Sequence, residues 1–96
     1  MQIGEDKMKV IYKFRLSLKQ KQEILLPTGF KYLDIQPQDG QLMLWALVDE
    51  NPESQQLVKI HVYATGERID DESTLSTYLK TVKGGSYVWH IFGDLK

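Results

Sequence analysis

Residues 8–18, Met8-Lys9-Val10-Ile11-Tyr12-Lys13-Phe14-Arg15-Leu16-Ser17-Leu18, decide the fold because apolar and charged side chains alternate along them. Every even-numbered residue of the stretch is aliphatic, aromatic or methionine, whereas the odd-numbered residues include three cations and a serine. Side chains of a β-strand point alternately to opposite faces of a sheet. The pattern therefore predicts a strand with one buried face.

Five shorter apolar runs predict further strands, at residues 24–26, 30–35, 42–48, 58–64 and 87–92. The Asp39-Gly40 pair between the second and third of these runs is a common hairpin signature. In residues 42–48 both alternate faces are apolar. We therefore expect Trp45 to lie in a central strand that is covered on both sides.

Residues 72–79 leave two alternatives open. The acidic residues 70–72 favour one short helix at this point, whereas Thr77, Tyr78 and Val82 favour a strand. The sequence predicts an all-β, or β-rich α+β, protein. Its expected architecture is a small antiparallel sandwich or barrel of six to seven strands, with at most one short helix near 72–79.

The composition excludes several classes of protein. A chain of 96 residues and 11.1 kDa suits a single domain. Because no cysteine is present, disulfides, thiolate zinc sites and cysteine nucleophiles are excluded. The net charge of −1 argues against nucleic acid as a partner. No apolar run reaches the ~18–20 residues of a membrane span, so we expect a cytoplasmic protein. No motif indicates a metal or a cofactor, and we expect neither.

Four segments share a pattern with a known family: residues 8–14, Leu-Trp-Ala-Leu-Val-Asp at 44–49, Tyr-Ala-Thr-Gly at 63–66 and Val-Trp-His-Ile-Phe at 88–92. In these segments the chain resembles a family of short, uncharacterised phage and bacterial proteins recorded as a domain of unknown function. That family has glycine where Ala64 stands, which weakens the case for a glycine-rich ligand loop. The resemblance implies a phage-type origin, a single β-rich domain at 8–96 and an N-terminal extension at 1–7.

The two histidines, His61 and His90, have the side chains that titrate nearest to neutral pH. Two histidines without a thiolate or a His-x-His pair do not make a metal site. His61 alternates with apolar neighbours and is expected to face away from the core. His90 follows Trp89 in a strand with two apolar faces. The pair either offers a polar group and a stacking ring to a ligand, or His90 is a hydrogen-bonded core histidine with a structural role.

Charge is distributed unevenly along the chain. Six cations and no acid lie between Lys7 and Lys21, whereas nine acids lie between Asp34 and Glu72. All six cations have odd numbers, so an extended segment 7–21 would carry them on one face as a basic stripe. The stripe either binds an anionic partner or protects an exposed sheet edge against aggregation.

These features favour a non-enzymatic, phage-type accessory binding module that engages a small anionic, nucleotide-like ligand or an acidic host protein. The turn at residues 65–68 is one place where backbone N–H groups can hold a phosphate. The candidate ligand-binding residues are Lys13, Arg15, Thr65, Gly66, Arg68, Trp89 and His90, and no residue is assigned a catalytic role.

The chain is also expected to bind further copies of itself. Ten aromatic residues, and strands with two apolar faces, predict a homo-oligomer. If the chain is phage-encoded, it would act in the cytoplasm of the host cell, where countering host defence is one role open to it. Two alternatives remain: a small hydrolase or transferase that uses His61 or His90 on a phosphorylated substrate, and a structural assembly protein.

Overall fold

The computed structural model describes residues 8–95, so the predicted extension at 1–7 lies outside the described residues. Seven strands and one 3₁₀ turn follow one another along the chain. They are β1 (Lys9–Leu16), β2 (Lys21–Pro27), β3 (Lys31–Gln38), β4 (Gln41–Asp49), β5 (Gln55–Ala64), the turn Glu72–Thr74, β6 (Tyr78–Gly84) and β7 (Tyr87–Gly93).

The strands form two antiparallel sheets. Sheet A has three strands in the order β1-β4-β3, and sheet B has four in the order β2-β5-β7-β6. The sandwich prediction is confirmed, and the barrel alternative is wrong because the two sheets are not joined into a closed ring. Of the two alternatives for residues 72–79, the helix shrinks to the 3₁₀ turn and a strand begins at Tyr78.

The inner faces of the two sheets share one apolar core. Leu44, Ala46 and Val48 of β4 are fully buried, as are Ile60 and Val62 of β5. Alternation along each strand brings these side chains to the inner face, where their burial supplies most of the folding free energy. No described residue belongs to a helix of the length and apolar character that crossing a bilayer takes.

The outer face of β4 differs from its prediction. The strand is central in sheet A, as expected. Met43, Trp45 and Leu47 nevertheless remain partly exposed, since only neighbouring side chains of β1 and β3 lie beside them. The expectation that Trp45 is covered on both sides is therefore wrong.

The basic stripe is broken by the fold. The chain leaves sheet A after Leu16 and enters sheet B at Lys21. The side chain of Gln22 fixes this link, because its amide nitrogen donates to the carbonyl of Ser17 (2.9 Å) and its oxygen accepts from the N–H of the same residue (3.0 Å). An extended segment from Lys7 to Lys21 is thus wrong, and Lys7 itself lies outside the described residues.

The long connection between β5 and β6 returns across sheet B. Both strands pair antiparallel with β7, so they run parallel to each other, and residues 65–77 must travel back along the sheet. Thr74 of this connection lies beside His61. His61 and Tyr63, on the outer face of β5, are accordingly only 6% and 4% exposed.

Candidate ligand-binding cleft

One end of the sandwich opens into a cavity of about 950 Å³, which we call the end cleft. Three turns meet there: the β3–β4 turn at 39–40, the segment 64–67 after β5 and the β6–β7 turn at 84–87. Leu18, from the link between β1 and β2, completes the rim and is 48% exposed. Residues from both sheets therefore line a single concave surface.

The shape of the end cleft depends on two turns with left-handed backbone. Asp39 and Gly40 have φ of 52° and 78°, which suits a two-residue hairpin loop between paired strands. Gly66 has φ of 94°, and the N–H of Glu67 donates to the carbonyl of Ala64 (3.0 Å) to close that turn. A carboxylate oxygen of Glu67 also accepts from the N–H of Ala64 (2.7 Å), so this acid is committed to the turn.

Two aromatic rings lie together in the end cleft. The centroids of Tyr87 and Trp89 are 5.5 Å apart, with a 38° angle between the ring planes. Tyr87 is 61% exposed, whereas Trp89 packs partly against the core. Gly84 lies across from Trp89, and a Cβ built there would be 3.8 Å from its indole nitrogen. The missing side chain keeps the ring accessible.

The charges that line the end cleft are mixed. Among residues 8–95, Lys83 is the one cation that lines it, and Asp39 and Glu67 are the acids. Lys83 is the register partner of Val88 in the β6–β7 hairpin, so it borders the cavity from the strand face opposite to Tyr87 and Trp89. Asp39 lies on the β3–β4 turn of the other sheet. A negatively charged group is therefore favoured only on the Lys83 side.

Three of the predicted ligand residues meet in this cleft: Thr65, Gly66 and Trp89 all line it. His90 points to the opposite face of β7, where it cannot share a ligand with Trp89 in the cleft. Its Nε2 lies 2.7 Å from the hydroxyl of Thr65, and its Nδ1 lies 3.0 Å from that of Thr81. His90 thus contacts the hydroxyl of Thr65 from the outer face of sheet B, which is the role of a hydrogen-bonded structural histidine.

The remaining predicted residues lie elsewhere. Lys13 is on the outer face of sheet A and donates to the side chain of Gln38 (2.8 Å). Arg15 lines a shallow groove with Lys19 and Lys21. Arg68 is exposed and is not part of the lining of the end cleft. Because β1 pairs with β4 alone, its cations lie on an edge strand, the position that the edge-protection alternative requires.

The sequence interpretation missed Tyr87 and Lys83. Tyr87 and Trp89 are two residues apart in a strand, which places their rings on the same face. That spacing was a usable signal. No local sequence pattern indicated Lys83. It borders the cleft because Gly84 pairs with Tyr87, which brings the two strands of the hairpin together.

The structure defines the surroundings of both histidines. No three His, Cys, Asp or Glu side chains are grouped there to hold a metal ion. Both ring nitrogens of His90 are engaged by threonine hydroxyls. Burial, together with Lys21 and Lys59, lowers the pKa of His61 below its usual value, so this imidazole is neutral at neutral pH.

The chain matches a known protein family. A protein-family model described as "Domain of unknown function (DUF7352)" matches residues 8–96. No curated protein and no solved structure is significantly similar to the chain.

Proposed function

Since the chain belongs to the DUF7352 family, whose description gives no activity, we propose its function from the end cleft: it is a non-enzymatic module that binds a small anionic, nucleotide-like ligand there. The observation that carries the proposal is the aromatic pair Tyr87 and Trp89 in an open cavity that Lys83 also borders. Base–aromatic stacking contributes about 1–3 kcal/mol per base. A planar, charged molecule uses both features.

The anionic part of the ligand belongs on the Lys83 side of the cleft. Backbone N–H groups of tight turns are frequent anion donors, and the turns at 65–66 and 85–86 both border the cavity. Asp39 lies on the opposite sheet, and Glu67 is hydrogen-bonded to the backbone of Ala64. These two acids therefore disfavour a ligand that is negative along its whole length and favour one with a neutral ring and a single charged end.

Binding without chemistry is the activity proposed: the hydroxyl of Thr65 lies 2.7 Å from Nε2 of His90, but the other ring nitrogen contacts the hydroxyl of Thr81 (3.0 Å) and not a carboxylate that would orient a catalytic base. The phage-type accessory role implied by the sequence pattern fits this proposal. In that role the protein would act in the host cell by removing a nucleotide-like signal, and host defence is the process that such removal would counter.

The test is a thermal-shift screen against nucleoside monophosphates and cyclic nucleotides, followed by calorimetry. We expect at least one compound to raise the melting temperature, and expect Tyr87→Ser and Lys83→Gln each to weaken its binding about tenfold. Tyr12→Ser and Lys13→Gln are matched controls, since they remove an exposed tyrosine and an exposed lysine outside the cleft. The proposal fails if no compound binds, or if the cleft variants bind as well as the controls.

We also propose that the protein forms a homodimer through the outer face of sheet A. The partly exposed side chains of Met43, Trp45 and Leu47 form an apolar row along β4, and Ile11, paired with Leu47, is 59% exposed. An exposed apolar row framed by polar residues is typical of a protein–protein contact.

The margins of that face favour a second copy as the occupant. The β1 margin carries Lys13 and Arg15, and the β3 margin carries Asp34 and Gln36 in the same two rows. A twofold axis that lies in the interface above Trp45, parallel to β4, would lay β1 of one copy over β3 of the other. Cations would then face acceptors on both sides of an apolar centre.

A further inference from the structure

A second depression, of about 490 Å³, lies on the outer face of sheet B and shares no residue with the end cleft. Strands β2 and β5 form its base, and the connection that carries the 3₁₀ turn borders it at Thr74. We call it the β5 groove. Its lining side chains are Lys21, Gln22, Glu23, Lys59, His61 and Thr74.

His61 is an unusual residue to find in this position. Only 6% of the residue is exposed to solvent, and its Nδ1 atom is buried without a hydrogen-bond partner. Its ring lies parallel to that of Tyr63, at an angle of 2° and a centroid distance of 6.5 Å. Buried polar atoms in proteins are nearly always paired, so an unpaired ring nitrogen at a groove calls for a partner from outside the chain.

Two lysines accompany His61 on the same face. Lys21 is its register partner on β2, and Lys59 precedes it by two residues on β5. Neither lysine forms an ion pair within residues 8–95, where the salt bridges are Lys9–Asp49 and Lys80–Asp34. Their charges act on the imidazole, since both contribute to the lowered pKa of His61 after the larger effect of burial.

Two acids, Glu23 and Asp71, lie near these lysines. Glu23 is the register partner of Lys59 and lines the groove without forming a salt bridge there. Asp71, in the connection, is close enough to Lys21 to interact electrostatically, but its carboxylate already accepts from the N–H and the hydroxyl of Ser73. The groove itself thus holds two cations, one acid, a neutral imidazole and a hydroxyl.

We propose that the β5 groove binds a small oxyanion, a phosphate or carboxylate group, between Lys21 and Lys59, with the imidazole of His61 as a hydrogen-bond donor. Thr74 borders the site, and its hydroxyl donates to the carbonyl of Asp71 (2.8 Å). Ammonium groups and imidazole are donors that suit anionic oxygen. The site is independent of the proposed nucleotide binding, because its residues lie on another face of the molecule.

The experiment is a titration of the isotope-labelled protein with inorganic phosphate and, separately, with acetate, followed by NMR, with sodium chloride at matched ionic strength as the reference. We expect saturable shifts at His61 and Thr74, and a rise in the measured pKa of His61, because a bound anion favours imidazolium. Saturation by phosphate alone assigns a phosphate ligand, and saturation by both anions assigns a general oxyanion site.

Lysine variants decide whether the groove is responsible. Lys21→Gln and Lys59→Gln should each weaken anion binding about tenfold, and both residues are exposed, so the fold should be retained. Lys31→Gln, which removes an exposed cation on β3 that lines neither cavity, should bind as the unchanged protein does. The proposal is overturned if chloride produces the same shifts, if neither anion saturates, or if the groove variants bind like this control.

Discussion

Gly93 and Gly84 end neighbouring strands of sheet B, but the space around their α-carbons differs. A Cβ at Gly93 would lie 2.8 Å from Cδ1 of Ile60 and 3.2 Å from the backbone carbonyl oxygen of Lys59. The second of these atoms cannot rotate away. At Gly84 the nearest atom would be 3.7 Å away, which is ordinary contact. The close packing of β7 on β5 therefore depends on glycine at only the first position.

Gly93→Ala should destabilise the protein by about 1–3 kcal/mol, because overpacking forces β7 away from β5. Gly84→Ala is the matched control and should leave stability unchanged or raise it by up to about 1 kcal/mol, by restricting the unfolded chain. Urea denaturation followed by circular dichroism measures both values. Equal midpoints for the two variants would contradict the packing at Gly93.

His61 predicts a pH dependence of stability. Its pKa is lowered in the folded state by burial, then by Lys21 and Lys59, so the unfolded chain binds a proton more readily. Its effect on stability is nil well above the unfolded pKa of about 6.5 and becomes unfavourable as the pH falls through that value toward the folded pKa.

We therefore expect His61→Phe to reduce the loss of melting temperature between about pH 7 and pH 5, relative to the unchanged protein. Phe also removes the unpaired Nδ1, so stability at neutral pH should not fall by more than about 1 kcal/mol. His90→Phe is the comparison: it loses two hydroxyl contacts, at 2.7 and 3.0 Å, and should lower stability at both pH values. An identical pH profile for His61→Phe and the unchanged protein would refute the argument.

At the scale of elements, strand positions were predictable because alternation of side chains follows directly from burial on one face. Where strands pair was not. Residues 8–18 and 21–27 read as one basic region, yet the turn fixed by Gln22 sends them to different sheets. That β5 and β6 run parallel could not be predicted from the sequence either, since it depends on the strand order of the whole of sheet B.

The two sheets meet where β3 approaches β6. Register shifts occur in both strands, between Tyr32 and Asp34 and between Tyr78 and Lys80. The ammonium group of Lys80 donates to the carboxylate of Asp34 across this corner. That hydrogen bond outweighs the opposing effect of burial and, with smaller contributions from Gln36 and the Ile35 N–H, keeps the pKa of Asp34 below its usual range.

Removing this link should have a small, pH-dependent effect. The stabilisation by Asp34 is complete above its unfolded pKa of about 3.9 and is lost as the pH falls through the lower folded value. Both side chains are about a third exposed, so Asp34→Asn should cost about 1 kcal/mol or less at neutral pH. Acid titration of the melting temperature should show a shallower decline in the variant. A decline as steep as that of the unchanged protein would show that Asp34 does not titrate abnormally.

At the scale of the molecule, the sequence located part of the end cleft. Thr65, Gly66 and Trp89 were recognisable because turn and aromatic residues are chemically distinctive. Their convergence with Lys83 and the β3–β4 turn arises from the stacking of two sheets, which local patterns do not contain. His61 shows the same limit: alternation correctly placed it off the core face, and only the returning connection buries it.

Self-association is the property on which the two sheets differ most. The exposed leucines Leu25 and Leu57 form a cross-strand pair on sheet B. The apolar row on sheet A is longer and lies between Lys13 and Arg15 of β1 and Asp34 and Gln36 of β3. If charge complementarity selects the contact, dimers form through sheet A.

Ile11→Lys tests this directly. The residue is 59% exposed and pairs with Leu47 at the end of the apolar row, so a lysine there should be tolerated by the fold and should place a like charge among the β1 cations. We expect sedimentation equilibrium to give twice 11.1 kDa for the unchanged protein at micromolar concentration, and a dissociation constant raised at least about tenfold, ~1.4 kcal/mol, in the variant. Leu57→Lys changes a leucine of similar exposure, 62%, on sheet B and should remain dimeric. A single-chain mass for the unchanged protein would show that no dimer forms, and dissociation by Leu57→Lys alone would place the interface on sheet B. Either result would exclude sheet A, because an interface on sheet A contains Ile11 and not Leu57.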